Sequence, residues 1–344
     1  MNNILLVVVD CMRRDYAFDR DKMPKLATWG SEKATMYTNF WAVSHCTDPT
    51  MTCLLSGRHP DEIGLYTMMF EQQDWMIGEE VIMLPQIAKD LGYTTAMLSN
   101  NGRWYRRGVD HYVNVRGWPD EKTVVDCGKK MQSLDAPWFI TCHLTGMHTR
   151  YMGGSYAAAA KIEDGYVKSL IDTVATLGGD TNIMITADHG EGLGDHGIAQ
   201  HGHGLYPELT HIPLMVYEAG QGQPRIDNRL FDQQSAATML WKWMKGKSAR
   251  AAPKKYVYQV GDTPPSTRHY GIVYPDKTQY IIGIVGDRQF TFYVPDEASV
   301  VGKEPDPLEL IKGEHERYGH SAADLLDPLP EEVLKRLKGL GYFE

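Results

Sequence analysis

Three short stretches of this sequence combine residue types that can do chemistry together. Asp10 directly follows the apolar run 4–9, and Thr47-Asp48-Pro49 precedes a segment that closes on Gly57. Asp188-His189-Gly190-Glu191-Gly192 follows the apolar run 183–187. An adjacent carboxylate and imidazole at a strand end can both reach one divalent cation. A threonine hydroxyl at a helix N-terminus sits where backbone N–H groups and the helix dipole favour an anion. If a metal lowers its pKa, that hydroxyl can attack a phosphate or sulfate ester. Each piece also has an ordinary reading: Thr47 as a helix cap, Asp188 as a cap beside a solvated histidine, Asp10 as a turn residue. The three together are more specific than any one.

The histidines add to this. Seven of the 13 fall between positions 143 and 211. His201 and His203 are candidates to bind a substrate anion or protonate a leaving oxygen, a task suited to a pKa near neutrality. His143 is expected in or behind the sheet as a satisfied structural residue. Cys11, next to Asp10, reads as a small core residue, with a soft extra ligand as the alternative.

These residues need elements to hold them. Short apolar runs at 4–9, 94–98, 139–143, 183–187 and 214–217 have the composition of strands buried on both faces. Helical patterns over 84–91, 121–133, 157–177 and 233–245 lie between them. Alternating strands and helices predict an α/β fold, a doubly wound, mostly parallel sheet. Such sheets bind ligands at the carboxyl ends of their strands, where Asp10, His143 and Asp188 fall. Pro49 suits the first helical position and Gly57 a C-terminal cap, which puts Thr47 just ahead of a helix. The polar stretch 247–255 reads as a linker between a main domain, 1–247, and a small C-terminal antiparallel subdomain, 256–344. Strands at 256–260, 269–274, 278–282 and 289–294 and a closing helix at 330–340 are expected there.

Composition narrows the function classes. The 344 residues are 42% hydrophobic and 23% charged, which excludes a wholly disordered chain. Net charge is −9 and no Lys/Arg block exceeds a pair, so a broad nucleic-acid footprint is excluded. Five cysteines without a CxxC pair suggest reduced thiols. The run 4–9 is too short for a signal peptide or membrane span. A cytoplasmic location is therefore expected. Trp241 and Trp243, near the domain junction, suit either a homo-oligomer interface or the core.

The ordered blocks carry a resemblance. Residues 4–15, with Asp10-Cys11-Met12-Arg13-Arg14-Asp15, resemble the opening strand and D-x-x-R-x-D turn of the sulfatase-like branch of the alkaline phosphatase superfamily. Thr47-x-Pro49 with Leu54-Leu55-Ser56-Gly57-Arg58-His59-Pro60 resembles its nucleophile segment. Thr186-Ala187-Asp188-His189-Gly190-Glu191-Gly192-Leu193-Gly194-Asp195-His196-Gly197, then His201-Gly202-His203-Gly204, resembles its metal-binding block. The tail at 332–342 is similar to one common in these proteins. The resemblance implies an alkaline-phosphatase-like fold. It also implies roles for His148 as a substrate-side acid and for Asn100 and Arg103 as contacts to the substrate group.

The departures from that pattern matter. Thr47 stands where C-x-P-x-R sulfatases place the cysteine that becomes formylglycine, Met51 stands at the arginine position, and Cys46 is one residue early. Cys11 replaces a second acid, so the sulfatase calcium site is incomplete. The remaining set, Asp10, Thr47, Asp188 and His189, resembles the single-metal site of phosphoethanolamine and phosphoglycerol transferases and related phosphodiesterases. One divalent ion is implied, with Mn2+ or Zn2+ favoured over Ca2+. The expected activity is hydrolysis of a small anionic ester, a phosphodiester or phosphonate monoester, through a covalent Thr47 intermediate. The alternatives are sulfate-ester hydrolysis by unmodified threonine, transfer to an alcohol acceptor, and a silent anion-binding member of the fold.

Overall fold

The computed structural model describes residues 1–68, 77–117, 119–148, 154–178, 180–263, 267–285, 288–294 and 306–319. The closing helix expected at 330–340 and the 332–342 motif lie outside these residues. The strands are β1 (Asn3–Val9), β2 (Thr35–Tyr37), β3 (Phe40–Trp41), β4 (Thr94–Ser99), β5 (His111–Asn114), β6 (Trp138–Leu144) and β7 (Thr181–Thr186). They continue with β8 (Leu214–Tyr217), β9 (Arg225–Asp227), β10 (Phe231–Asp232), β11 (Val257–Thr263), β12 (Thr267–Val273), β13 (Gln279–Val285) and β14 (Arg288–Val294).

The main sheet has eight strands in the order β5-β4-β6-β1-β7-β8-β2-β9. Neighbours run parallel except around β8, which is antiparallel to both β7 and β2. β1 sits inside this sheet because Ile4 to Val9 are apolar on both faces, and all six are fully buried. Helices Thr47–Ser56, Leu84–Asp90 and Gln233–Met244 pack together as one layer. Pro24–Lys33 and Asp120–Ser133 pack with Tyr156–Thr176 as another. This is the expected doubly wound, mostly parallel architecture.

The expected helices at 84–91, 121–133, 157–177 and 233–245 form within a residue of their predicted bounds. β5 was not anticipated, because it is a polar edge strand with no fully buried residue and so shows no apolar run. Helix Pro24–Lys33 was not anticipated either, since its buried residues, Leu26, Ala27, Trp29 and Gly30, are few and include a glycine, so they make no marked apolar pattern. Trp243 lies in the core, while Trp241 is exposed with Lys245 Nζ 4.1 Å from its ring centroid.

β11 to β14 form the expected antiparallel meander. Tyr258, Val260, Tyr270, Ile272 and Ile282 make its own apolar cluster with Ile311 of helix Pro307–Arg317. β11 is tied to the segment entering helix Thr47–Ser56. Val260 N–H donates to Val43 O at 2.9 Å and the Gln259 amide to Ala42 O at 2.7 Å. Among the described residues, no helix is long and apolar enough to cross a membrane.

Candidate active site

β6, β1 and β7 are adjacent and parallel, so their carboxyl ends meet. Asp10 follows β1, His143 lies near the end of β6, and Asp188 and His189 follow β7. All four are buried. Helix Thr47–Ser56 points its N-terminus at the same place. It begins at Thr47 itself, with Cys46 at the N-cap and Pro49 inside the first turn rather than at its first position. The first-turn N–H groups have no intrahelical acceptor, so a proline is tolerated there. Gly57 ends the helix at φ +75°, a conformation glycine adopts without steric cost.

His189 anchors the geometry. Its Nδ1 lies 2.8 Å from Gly190 O. A carbonyl only accepts, so Nδ1 carries a proton, and in the neutral ring Nε2 is the nitrogen with the lone pair. That lone pair lies 3.3 Å from Thr47 Oγ1, 3.4 Å from Asp188 Oδ2 and 3.6 Å from Asp10 Oδ1. Ligand atoms about 2.0–2.2 Å from one tetrahedral ion stand about 3.3–3.6 Å apart. Thr47, Asp188 and Asp10 each stand about one such edge from His189 Nε2, and ligand atoms of Asp10, His143 and Asp188, and of Asp10, Cys11 and His189, lie within 4.8 Å of one another.

The electrostatics point the same way. Burial, and then the neighbouring Asp188 carboxylate, push the Asp10 carboxyl up to about 8. Asp188 Oδ2 receives no hydrogen bond among the described residues. Burial lowers the His189 pKa, but the Asp188 and Asp10 carboxylates more than offset that and hold the ring above its ordinary value. Buried carboxylates left in this state are costly unless a cation is present. The residues therefore fit a divalent ion bound through oxygen and nitrogen.

His143 departs from expectation. Its Nδ1 meets Ser99 Oγ at 3.2 Å, while Nε2 faces Asp10 Oδ2 at 3.9 Å and has no hydrogen-bond partner among the described residues. It belongs to the site because the pleat turns position 143 toward the end of β1. His201 also reaches the site, with its ring 4.5 Å from that of His189 and 4.8 Å from that of His148. Glu191 Oε2 lies 3.2 Å from His201 Nδ1. His203 is half-buried further along the same loop; burial first of all, with His203 as a lesser cause, lowers the pKa values of His45 and His269.

Arg103, expected at the substrate, is instead drawn against Asp48 in a buried ion pair. Tyr105 OH donates to Asp48 at 2.5 Å and Asn101 Nδ2 at 3.0 Å. This cluster braces the first turn of helix Thr47–Ser56. Asn100 is half-buried beside it, but its neighbour Asn101 makes the contact. Position after a strand does not reveal which side chain turns inward. Among the described residues, none of the ion pairs of Asp10 and Asp188 involves Lys or Arg.

Two further participants carry no role in the sequence pattern alone. Glu191 stands within the D-H-G-E block and is legible there. Asp120 accepts the N–H groups of Thr145 and Gly146 and so holds the turn that carries His148. No local pattern links residues so far apart.

The comparisons with known proteins bear on the family and the fold. The family model described as Sulfatase matches residues 2–246, more than half of the chain. The chain belongs to the sulfatase family. No curated protein matches it. Among solved structures, yidJ from Bacteroides fragilis superposes with a TM-score of 0.74 at 15% identity, covering 95% of this chain and 98% of that one. A 2-O GAG sulfatase gives 0.71 at 14% identity, over 92% and 90% of the two chains. The C-terminal periplasmic domain of EcEptC from Escherichia coli, in complex with Zn, gives 0.60 at 15% identity, over 80% and 92%. This sulfatase-family chain thus shares its fold with a protein of the alkaline phosphatase superfamily from Vibrio parahaemolyticus as well.

Proposed function

We propose that this sulfatase-family chain hydrolyses singly charged phosphate-type esters, phosphodiesters or phosphonate monoesters, through a covalent intermediate on Thr47. The observation that carries this reading is Thr47 Oγ1 at the start of a helix, 3.3 Å from His189 Nε2 and beside two buried carboxylates. A divalent ion held by Asp10, Thr47, Asp188 and His189, Mn2+ or Zn2+ rather than Ca2+, would supply charge neutralisation and a lower hydroxyl pKa.

With the ion bound, the Thr47 hydroxyl would give up its proton to solvent, and Oγ1 attacks phosphorus in line. As its bond to phosphorus forms, the bond to the leaving oxygen breaks, and His201 or His148 gives that oxygen a proton. Glu191 orients His201 for this. Water then attacks the phospho-threonine and gives a proton back to that histidine, the bond between phosphorus and Thr47 Oγ1 breaks, and Oγ1 takes a proton from solvent as the product leaves. Arg103 is committed to Asp48, and among the described residues the carboxylates pair only with histidines, so the site suits one negative charge on the reacting group better than two.

Sulfate esters also carry one charge, and the 2-O GAG sulfatase among the structural neighbours supports sulfate hydrolysis as a second reading. The test is hydrolysis of nitrophenyl sulfate, phosphate monoester and phosphodiester or phosphonate with Mn2+ and with Zn2+, beside Thr47→Ala. The diester or phosphonate is expected to be best, with a loss of about 10³-fold or more in the variant. Sulfate as the best substrate would transfer the assignment to the second reading. Full activity in Thr47→Ala, or silence with metal bound, would overturn covalent catalysis on these esters.

A further inference from the structure

Glu163 is buried on terms that an ionised carboxylate does not tolerate. It lies in helix Tyr156–Thr176 with no exposed surface, and neither of its oxygens receives a hydrogen bond from a described N–H or O–H. Among the described residues no cation offsets this, and its one charged neighbour is Asp120. The two carboxyls converge on the Cα of Gly146, where a Cβ would run into Glu163 Oε1 and Asp120 Oδ2 alike.

The pair is unequal. Asp120 opens helix Asp120–Ser133 and accepts the N–H groups of Thr145, at 2.9 Å, and Gly146. Two backbone donors and the positive end of a helix favour the charged form there. Glu163 has neither. Burial, then the Asp120 charge and hydrogen bond, push the Glu163 carboxyl well above the usual carboxylate range. Burial raises Asp120 as well, while the hydrogen bond with Glu163 and the two N–H groups pull it down. Nearby, the Cys127 hydrogen bond and burial raise the Cys142 thiol, and burial raises Tyr166, so both stay neutral. A divalent ion does not suit this pair. The N–H groups already point at Asp120 Oδ2, and among the described residues no third His, Cys, Asp or Glu ligand joins the two. One proton satisfies both carboxyls.

The turn that Asp120 holds leads to His148. His148 N–H donates to Thr145 O at 3.1 Å, and the His148 ring stands 4.8 Å from that of His201. We propose that Glu163 is a positioning residue for His148: as a protonated acid it donates its O–H to the Asp120 carboxylate, which stays charged and clamps the Thr145–Gly146 turn. The inference rests on the proposed reading of His148 as an acid for the leaving oxygen.

The test uses the full chain loaded with Zn2+. Infrared spectra of wild type and Glu163→Gln at pH 7 are subtracted. Turnover of a nitrophenyl diester and of an alkyl diester is measured for wild type, Glu163→Gln, Glu163→Met and His148→Ala. An alkyl alcohol leaves only with a proton and nitrophenolate leaves without one, so a displaced acid shows on the alkyl ester. The difference spectrum is expected to show the C=O stretch of a protonated carboxyl that the variant lacks. Glu163→Gln, whose amide N–H donates to Asp120 in place of the O–H, should keep kcat near wild type on both esters. Glu163→Met, with similar bulk and no donor, should lose about tenfold or more in kcat on the alkyl ester, with KM and nitrophenyl turnover little changed. Absence of the band would overturn the shared proton. Undiminished alkyl-ester turnover in folded Glu163→Met would overturn the positioning role. Should that variant fail to fold, a loss on the alkyl ester in Glu163→Gln overturns it instead. Full alkyl-ester turnover in His148→Ala, or no turnover by wild type, would overturn the acid reading of His148 and the positioning role with it, while the band still decides the proton.

Discussion

Two buried carboxylate clusters with histidine beside them sit in different parts of this molecule, and they are built to opposite rules. Asp61, on the short helix Pro60–Ile63 that follows Thr47–Ser56, joins this part of the main domain to the C-terminal meander. It accepts from Tyr66 OH at 2.9 Å, Tyr258 OH at 2.8 Å and His315 Nδ1 at 2.8 Å. Burial alone would raise its pKa, but the His315 hydrogen bond and charge, with His59 and Tyr258, hold it below the ordinary carboxylate range. Asp10 and Asp188 are equally buried and not compensated in this way. Asp10 is pushed up to about 8, and Asp188 Oδ2 accepts nothing among the described residues. A saturated buried carboxylate serves as a joint between elements. An unsaturated one, kept next to a second carboxylate and an imidazole lone pair, needs a cation.

The contrast is broken most directly at Asp188. Asp188→Asn, or chelation of the wild type, is expected to reduce turnover of the preferred ester by about 10³-fold or more. Chelation should also remove the stability gained from binding, about 2.7 kcal/mol when the free ion is at 100 times its dissociation constant. Turnover, metal content and thermal unfolding measured together check this. Activity that persists in fully stripped protein would sink the metal reading.

Asp61→Asn should behave in the reverse sense. Removing one partner of a buried pair costs about 3–5 kcal/mol. That loss should appear in denaturant unfolding with and without metal, while metal content per folded chain is unchanged. A large loss of bound metal in folded Asp61→Asn would erase the distinction between the clusters.

A smaller effect is the opposite pH dependence of the two. In metal-free protein the folded Asp10 carboxyl binds its proton more tightly than the unfolded one, whose ordinary value is 3.8. Its contribution to stability is complete below about pH 4 and is lost as pH rises toward 8. Asp61, with its pKa lowered, contributes above its ordinary value, and that contribution is lost as pH falls through its depressed folded value. Thermal unfolding from pH 4 to 9 should therefore show an alkaline decline, and the Asp10 share of it should disappear on loading with Zn2+. An identical decline in stripped and loaded protein would mean that Asp10 is not at the ion.

Much of the site is legible in short stretches of sequence. Asp10, Thr47, Asp188 and His189 stand out because each follows an apolar run or opens a helix, and such patterns depend only on near neighbours in the chain. The same local logic fails at His143, which it places behind the sheet, and at Arg103, which it places at the substrate. In both cases the segment is located correctly and the direction of the side chain is not. That direction is set by packing against residues far away in the chain, Ser99 and Asp10 for His143, and Asp48 for Arg103.

By itself, the sequence determined which segments become buried strands, where helix Thr47–Ser56 ends at Gly57, and which residue types are available at the strand ends. These follow from hydrophobic period, turn chemistry and composition, which act over a few residues. Only the tertiary structure decided that β6, β1 and β7 lie side by side, that helix Thr47–Ser56 aims at their shared edge, and that the Cys11 thiol faces His201 across 190 positions. Strand order and side-chain direction are settled by non-local burial, where each face must find a partner. No short stretch of chain contains that information.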